Sequence, residues 1–224
     1  MITSSPATLL FDLDGTLVNT DHLHWLAFQD LLADFDRTME LDVFERDIIG
    51  RANADIMVGL FPDLPVVEHE RMATRKEALF RSKVQELEPT PGLSDLLAFA
   101  LARGIGCAVV TNAPRDNATL LLRGLKLDTR FEAVVIADEL PAQKPDPLPY
   151  LTGLRLLNGD ARRALAFEDS RSGIMAATAA GILTVGLTTS LSEAALLDAG
   201  ASLAVKDFRD PRLGDLVHDH LGIS

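Results

Sequence analysis

The sequence predicts an α/β fold, in which a doubly wound parallel sheet carries an inserted small helical domain. Short, continuous apolar runs alternate along the chain with segments of helical periodicity, beginning with the run Thr8 to Leu13. Parallel strands that are buried on both faces have this continuous apolar character. A further observation is a long stretch, from about Thr20 to Glu88, that has helical periodicity and no comparable apolar run. The alternation predicts the sheet, and the exceptional stretch predicts the inserted domain.

The alternating segments predict right-handed crossover connections and therefore a Rossmann-like core. Gly104, Gly124 and Gly181 follow helical segments and are predicted to cap them, because glycine readily adopts positive φ. The further predicted strands are Ile105 to Val110, Ala133 to Ile136, Ala164 to Phe167 and Ile182 to Gly186; the predicted helices are Leu93 to Ala102, Arg115 to Gly124, Pro147 to Leu157 and Ser172 to Ala180, with a short helix end in Val217 to Ser224.

The helical stretch is predicted to be a small domain inserted directly after the first strand. Leu23, Ala27 and Leu31 recur at helical spacing near its beginning. The segment Glu88-Pro89-Thr90-Pro91-Gly92 then returns the chain to the alternating pattern, since proline and glycine favour turns. We therefore expect an α/β core of residues 1–19 and 89–224 and a helical cap of residues 20–88.

Composition and charge restrict the possible partners and the compartment. The 224 residues carry a formal net charge of -12, which disfavours binding to nucleic acid or to anionic membranes. The same charge repels anionic substrates, so any phosphate site must contain its own cation. Cys107 is the single cysteine, and no signal peptide or membrane-spanning run is recognisable. We expect a cytoplasmic protein that is a monomer or a weak dimer.

Polar residues of complementary types follow four of the predicted strands. In open parallel sheets, ligands bind at the carboxyl ends of the strands, so these residues are expected to lie near one another. Each group alone is a common turn or helix-start sequence, but turn chemistry does not explain all four in this order. The four groups are Asp12-Leu13-Asp14-Gly15-Thr16, Thr111-Asn112, Lys144-Pro145 and Glu168-Asp169-Ser170.

These residue types suit the transfer of a phosphoryl group. One of the carboxylates Asp12 and Asp14 could attack phosphorus while the other, protonated, gives a proton to the leaving oxygen. Together with Asp169 they form an acidic cluster that needs a counter-cation, and oxygen ligands around a phosphate suit Mg²⁺.

Donors for the phosphoryl oxygens are also present at the strand ends. Thr111 and Asn112 offer hydroxyl, amide and backbone groups, and Lys144 supplies the positive charge that the acidic chain otherwise lacks. A phosphoacceptor signalling domain also combines clustered aspartates, a threonine and a lysine on a parallel sheet. The order Asp-x-Asp-Gly-Thr and the large helical insertion disfavour that alternative.

The four groups, together with Phe11, Leu17 and Gly173, resemble the four motifs of the haloacid dehalogenase superfamily. The resemblance covers nearly the whole chain, and the helical insertion is similar to the small cap domain of that superfamily. It implies that Asp12 is a nucleophile that forms an aspartyl-phosphate and that Asp14 is the general acid and base. The haloacid dehalogenases themselves lack the second aspartate, so Asp14 favours phosphoryl chemistry over dehalogenation.

The resemblance further implies a magnesium site and a set of substrate contacts. Mg²⁺ would be held by the Asp12 carboxylate, the Asp14 backbone carbonyl and Asp169, with Glu168 in support, and Lys144 would orient Asp12. The residues implied to bind the substrate or its phosphate are Thr16, Thr111 and Asn112 in the core and His24, Arg51 and Lys76 in the cap.

Within the superfamily, the chain is most similar to the branch of the beta-phosphoglucomutases and small-sugar phosphatases. Asn53 stands where the mutases have an arginine that grips the second phosphate, although Arg51 lies nearby in sequence. We expect a Mg²⁺-dependent phosphoric monoester hydrolase that acts on a small sugar phosphate or on a compound of the phosphoglycolate type. A sugar-phosphate mutase remains the alternative, followed by a phosphoacceptor signalling or non-catalytic module.

Overall fold

A computed structural model describes residues 6–222 of the chain. The described residues form two compact units. One unit comprises the residues up to Asn19 together with those from Glu88 onward, and the other is Thr20–Leu87. The first unit is an α/β sheet structure and the second contains helices. Among the described residues, no helix is long and apolar enough to cross a membrane.

The helical unit is organised around its first and last helices, which pack against each other. Its core is apolar, and Phe28, Leu31 and Met57 are almost completely buried in it. The apolar residues of the first helix recur at intervals of three and four, so that they occupy one face. The four helices are α1 (Asp21–Ala33), α2 (Leu41–Asp47), α3 (Asn53–Leu60) and α4 (Val66–Lys83).

The α/β unit contains a six-stranded parallel sheet with the strand order β3-β2-β1-β4-β5-β6. Its strands are β1 (Thr8–Phe11), β2 (Gly106–Thr111), β3 (Ala133–Ile136), β4 (Ala164–Glu168), β5 (Leu183–Leu187) and β6 (Leu203–Val205). The connecting helices are α5 (Leu93–Arg103), α6 (Arg115–Gly124), α7 (Leu148–Leu156), α8 (Arg171–Ala179), α9 (Glu193–Asp198) and α10 (Pro211–Leu221). The predicted doubly wound, Rossmann-like fold is thus confirmed.

The sheet is buried on both faces, which explains the continuous apolar runs. On one face, Leu10 and Val110 pack in a cluster with Tyr150 of α7. On the opposite face, the rings of Phe11 and Phe167 stack at a centroid distance of 4.9 Å. Because successive side chains of a strand point to opposite faces, both faces of the central strands require apolar residues.

The strand order reverses beside β1, and this reversal creates a crevice at the carboxyl ends of the strands. The chain proceeds from β1 outward to β2 and β3, and then returns to pair β4 with the other edge of β1. Phe11 is level with Phe167 in the parallel register, so Asp12 and Glu168 come next on neighbouring strands. The fold therefore brings two of the predicted acidic groups together.

Four features of the α/β unit differ from the sequence prediction. The strand β6 was not predicted, because its three residues are too few to form a recognisable apolar run. The helix α9 was also missed, because six residues are too few to show a helical periodicity. The helix α10 begins at Pro211, well before the predicted helix end. The predicted cap at Gly124 is also wrong: Gly124 is the last helical residue of α6, and Lys126 adopts the positive φ of 59°.

The difference between Gly104 and Gly124 gives a matched test of the helix ends. Gly104 caps α5 with a φ of 63°, and a Cβ at this position would meet open space, so only the backbone conformation resists substitution. We expect Gly104→Ala to lower the free energy of unfolding by about 1 kcal/mol. Gly124→Ala, at the last helical residue of α6, should raise it by up to about 0.5 kcal/mol, because alanine loses less backbone freedom than glycine. Urea unfolding of both variants measures the two changes, and equal effects of the same sign would contradict the assignment.

Candidate active site

The candidate site lies at the carboxyl ends of the central strands, where the strand order reverses. Asp12 follows β1, Thr111 ends β2 and Glu168 ends β4. Lys144 reaches the same place from the connection between β3 and α7. Four segments that are distant in sequence therefore contribute side chains to the edge of the sheet at which open parallel sheets bind ligands.

Lys144 is the central cation of this site. Its ammonium group donates hydrogen bonds to Asp12 Oδ1 at 2.5 Å, to Glu168 Oε1 at 2.6 Å and to the backbone carbonyl of Val110 at 2.7 Å. Burial alone would lower the pKa of Lys144, but the carboxylates of Asp12 and Glu168 outweigh burial and raise it above its usual range. The lysine is therefore protonated, and its three N–H groups have three acceptors.

The acidic groups around Lys144 form a cluster suited to a divalent cation. One carboxylate oxygen each from Asp12, Glu168 and Asp169 lies within 4.8 Å of the others, and all three residues are buried. Burial raises the pKa of Asp12, the Lys144 ammonium opposes this rise, and Glu168 adds to it. Several carboxylates against one ammonium leave an excess of negative charge. Hard oxygen ligands of this kind fit Mg²⁺.

Glu168 is fully buried, and hydrogen-bond donors hold both of its oxygens. The Tyr150 hydroxyl donates to Oε1 at 2.7 Å, beside the bond from Lys144, and Ser170 Oγ donates to Oε2 at 3.2 Å. A Cβ at position 173 would collide with this carboxylate, so Gly173 is required for the close approach. Tyr150 was not predicted from the sequence; the available signal was a lone tyrosine in the helix directly after Lys144-Pro145.

The loop after β1 positions Asp14 and encloses Thr16. Gly15 adopts a φ of 76°, and a Cβ there would collide with the Asp169 carboxylate, so glycine is needed for two reasons. Asp14 is partly exposed and forms a backbone bridge with Val18. The Thr16 hydroxyl is buried without a hydrogen-bond partner. Phosphate binding by the Thr16 hydroxyl stays a prediction, and the burial of this hydroxyl disfavours such binding.

Thr111 and Asn112 hold the loops of the site. Asn112 Oδ1 accepts a hydrogen bond from the Lys144 backbone N–H at 3.2 Å, and its amide nitrogen faces the Lys144 carbonyl at 3.4 Å. Thr111 Oγ1 accepts from the backbone N–H of Ala113 at 2.9 Å. The Asn112 side chain is thereby engaged in positioning Lys144. Phosphate binding by Thr111 and Asn112 stays a prediction.

Two hydroxyl groups that follow β5 complete the site, and neither was predicted from the sequence. Ser190 Oγ donates to Asp169 Oδ2 at 2.6 Å. Thr189 Oγ1 donates to the Gly15 carbonyl at 2.5 Å. Serine and threonine after a strand are common turn residues, so the sequence carried no specific signal for them. They fix the Asp169 carboxylate and the Gly15 loop.

The predicted substrate residues His24 and Lys76 lie together in the helical unit. Lys76 Nζ is 2.9 Å from His24 Nδ1 and donates to Glu77 Oε1 at 2.8 Å. Glu77 Oε1 also accepts from the Asn53 amide at 2.7 Å. The His24 ring stacks on Phe80 at a centroid distance of 4.0 Å. These contacts join His24, Asn53, Lys76 and Glu77 into one network, which we call the cap network.

Lys76 and Glu77 of the cap network form a neutral pair. Burial would raise the pKa of Glu77, but the Lys76 ammonium, the neighbouring His24 ring and the hydrogen bonds from Lys76 and Asn53 lower it to about 2. Glu77 is therefore ionised and neutralises Lys76. Arg51 is not part of the network: it is exposed, and its guanidinium donates to the Asp47 carbonyl at 3.1 Å.

Comparison with known proteins identifies phosphatases among the relatives of this chain. The phosphorylated carbohydrates phosphatase of Thermotoga maritima is 32% identical over 88% of this chain and 93% of its own length. Phosphoglycolate phosphatase 1 of Pseudomonas aeruginosa is 30% identical over 93% of this chain and 79% of its own length.

The structural comparison adds a solved protein with a bound phosphorylated sugar. A CbbY mutant from Rhodobacter sphaeroides, solved in complex with xylulose-(1,5)bisphosphate, superimposes with a TM-score of 0.78 and 26% identity, covering 92% of this chain and 96% of that one. The family model of the haloacid dehalogenase-like hydrolases matches residues 9–187. The resemblance predicted from the four motifs is thereby confirmed, and the chain belongs to the haloacid dehalogenase-like hydrolase family.

Proposed function

We propose that this chain is a Mg²⁺-dependent phosphatase that hydrolyses a small phosphorylated metabolite with Asp12 as its nucleophile. The observation that carries the proposal is the buried contact of 2.5 Å between Asp12 Oδ1 and Lys144 Nζ, beside Glu168 and Asp169 at the reversal of the strand order. The two curated relatives, both named as phosphatases of small phosphorylated compounds, support the same activity.

The proposed reaction has two steps. In the first, a carboxylate oxygen of Asp12 bonds to phosphorus, the bond from phosphorus to the leaving oxygen breaks, and Asp14 gives that oxygen a proton. In the second, Asp14 takes a proton from water, whose oxygen attacks the aspartyl-phosphate, so that phosphate leaves and Asp12 is regenerated. Lys144 holds the Asp12 carboxylate in one orientation throughout, through its hydrogen bond to Oδ1.

The proposed metal ligands are the carboxylates of Asp12 and Asp169 and the backbone carbonyl of Asp14, with Glu168 in support. The cluster of Asp12, Glu168 and Asp169 fits a hard cation, since its carboxylate oxygens are close together. The single positive charge of Lys144 does not neutralise the three carboxylates. When bound, Mg²⁺ would offset the charge of the phosphoryl oxygens. A cation beside Asp12 would also favour the ionised carboxylate that must attack.

The substrate contacts are part of the proposal. Thr111 and Asn112 would bind the phosphoryl group, and His24, Arg51 and Lys76 would contact the rest of the substrate. Thr16 is left out of this set, because its hydroxyl is enclosed. We propose a sugar phosphate or a compound of the phosphoglycolate type, in line with the names of the relatives. A cytoplasmic site of action belongs to the same proposal, because the lone, buried thiol of Cys107 suits a reducing compartment.

Hydrolysis is favoured over a mutase reaction by the chemistry of the helical unit. A mutase must hold a sugar phosphate by a second phosphate while a hydroxyl, and not water, attacks the phosphoenzyme. Asn53 offers an uncharged amide that is already bound to Glu77, and Glu77 neutralises Lys76. The pair of Lys76 and Glu77 therefore has no net positive charge with which to hold a second phosphate.

Replacing the nucleophile is the first test of the proposal. Asp12→Asn is nearly isosteric but is a poor nucleophile, so we expect kcat to fall by about a thousandfold or more while the circular dichroism spectrum is unchanged. Asp128→Asn, at an exposed position of the same unit, is the matched control and should retain wild-type kcat. Steady release of phosphate from an aryl phosphate by the wild type would also separate an enzyme from a phosphoacceptor module. Substantial activity in Asp12→Asn would contradict covalent catalysis.

Removal of the metal is the second test. We expect a chelator to abolish turnover and Mg²⁺ to restore it, because the acidic cluster and a phosphate repel each other without a cation. Ca²⁺ should inhibit, since its larger and looser coordination misplaces Asp12. Thermal unfolding gives an independent readout: Mg²⁺ should raise the Tm of the wild type and not that of Asp169→Asn. Full activity in excess chelator would remove the metal from the mechanism.

A substrate test separates the hydrolase from the mutase. Glucose 1-phosphate with a trace of its bisphosphate should give little or no glucose 6-phosphate, because Asn53 supplies no cation to hold a second phosphate. Inorganic phosphate should instead appear from a small phosphomonoester in a screen of phosphorylated metabolites. Rapid isomerisation without phosphate release would show that the chain is a mutase, and Arg51→Ala would then test whether that residue grips the second phosphate.

A further inference from the structure

Tyr150 is the largest fully buried side chain that touches the acidic cluster. It lies on α7 with a relative exposure of 0% and packs among Leu10, Val110 and Val135 of the sheet. Its hydroxyl is the polar tip of an otherwise apolar contact surface, and it donates to Glu168 Oε1 at 2.7 Å. Neither the motifs nor the proposed reaction steps assign this tyrosine a role.

Lys144 can donate only one hydrogen bond to Glu168, because its other two N–H groups are engaged elsewhere. A lysine ammonium has three N–H donors, and those of Lys144 are used by Asp12 Oδ1, Val110 O and Glu168 Oε1. A fully buried carboxylate needs several donors to offset the loss of water. Oε1 therefore depends on Tyr150 for its second donor.

A continuous chain of contacts leads from this hydroxyl to the nucleophile. Tyr150 holds Glu168, Glu168 holds Lys144, and Lys144 holds Asp12, with each oxygen to donor distance between 2.5 and 2.7 Å. The Lys144 ammonium also lies 5.2 Å from the centroid of the Tyr150 ring. If Oε1 lost its second donor, the Glu168 carboxylate could rotate and pull Lys144 away from Asp12.

We propose that Tyr150 is a positioning residue, whose hydroxyl fixes Glu168 and through it both the Lys144–Asp12 contact and the oxygen that Glu168 presents to the metal cluster. The proposal rests on the proposed phosphatase function. Tyr150 itself touches neither the substrate nor the reacting atoms in this arrangement; it acts through Glu168.

The test is Tyr150→Phe, which removes the hydroxyl and keeps the ring that fills the core. We expect kcat to fall about 10- to 100-fold, which is typical for groups that orient metal-site ligands, with KM unchanged. The Kd for Mg²⁺, measured by calorimetry on the protein without substrate, should rise about tenfold or more. In a Glu168→Gln background, Tyr150→Phe should cause almost no further loss, because the two residues act as a unit.

Thr8→Val is the matched control. Thr8 is fully buried on β1, and its hydroxyl has no hydrogen-bond partner, so the substitution removes a core hydroxyl at no cost to the site. It should keep wild-type kcat and Mg²⁺ affinity. All variants are assayed well below the Tm determined for each, so that a fall in kcat reflects the folded protein.

The outcomes separate this proposal from the proposed function. A wild type without phosphatase activity would refute the function, whereas an active wild type with unchanged kcat and unchanged Mg²⁺ affinity in Tyr150→Phe would overturn only the role of Tyr150. A lowered Tm with unchanged kcat and unchanged affinity would also overturn it, since Tyr150 would then only stabilise the core. Additive losses in the Glu168→Gln background would show that the hydroxyl does not act through Glu168.

Discussion

The buried ammonium of Lys144 is the interaction on which the candidate site depends. A charge without access to water must be paired and hydrogen-bonded, and Lys144 finds its three acceptors on three neighbouring strands: after β1, in β2 and at the end of β4. Moving any of these strand ends would leave a buried charge without a partner, which costs several kcal/mol. The lysine therefore ties the ends of the central strands together at the candidate site.

This arrangement leaves no room for a Cβ at two positions around the cluster. Gly15 and Gly173 are glycine because the carboxylates of Asp169 and Glu168 occupy the space that a Cβ would need. Hydroxyl donors then hold those carboxylates from the side, Ser190 for Asp169 and Tyr150 for Glu168. Rigid, hydrogen-bonded groups of this kind lose little energy in reorganisation during the reaction, which is the advantage of a preorganised site.

The helical unit also contains a buried lysine that is paired with a carboxylate. Lys76 is as buried as Lys144, but it is paired one to one with Glu77 and is further contacted by His24. The α/β site therefore keeps an excess of negative charge that suits a cation, whereas the pair in the helical unit is neutral. The proposed phosphoryl chemistry therefore belongs to the α/β unit, whose acidic cluster can hold the cation.

The sequence by itself determined the fold class, the helical insertion and the four strand-end motifs. It could do so because buried parallel strands require continuous apolar runs, and because the residues within each motif are neighbours in sequence. The short strand β6 carried too little of this signal. The cap at Gly124 was misplaced because Gly124 is still helical and Lys126, two residues later, adopts the left-handed conformation. Such local choices depend on how each segment packs.

Only the tertiary structure decided which side chains support the motifs. Tyr150 meets Glu168 across 18 positions of sequence, Ser190 meets Asp169 across 21, and Asn53 meets Glu77 across 24. A tyrosine in a helix, a serine in a turn and an asparagine at a helix start are each ordinary in their local context. What makes them part of the site is the distance and direction to a buried carboxylate, and these quantities are set by the packing of helices on the sheet and on one another, which no local pattern records.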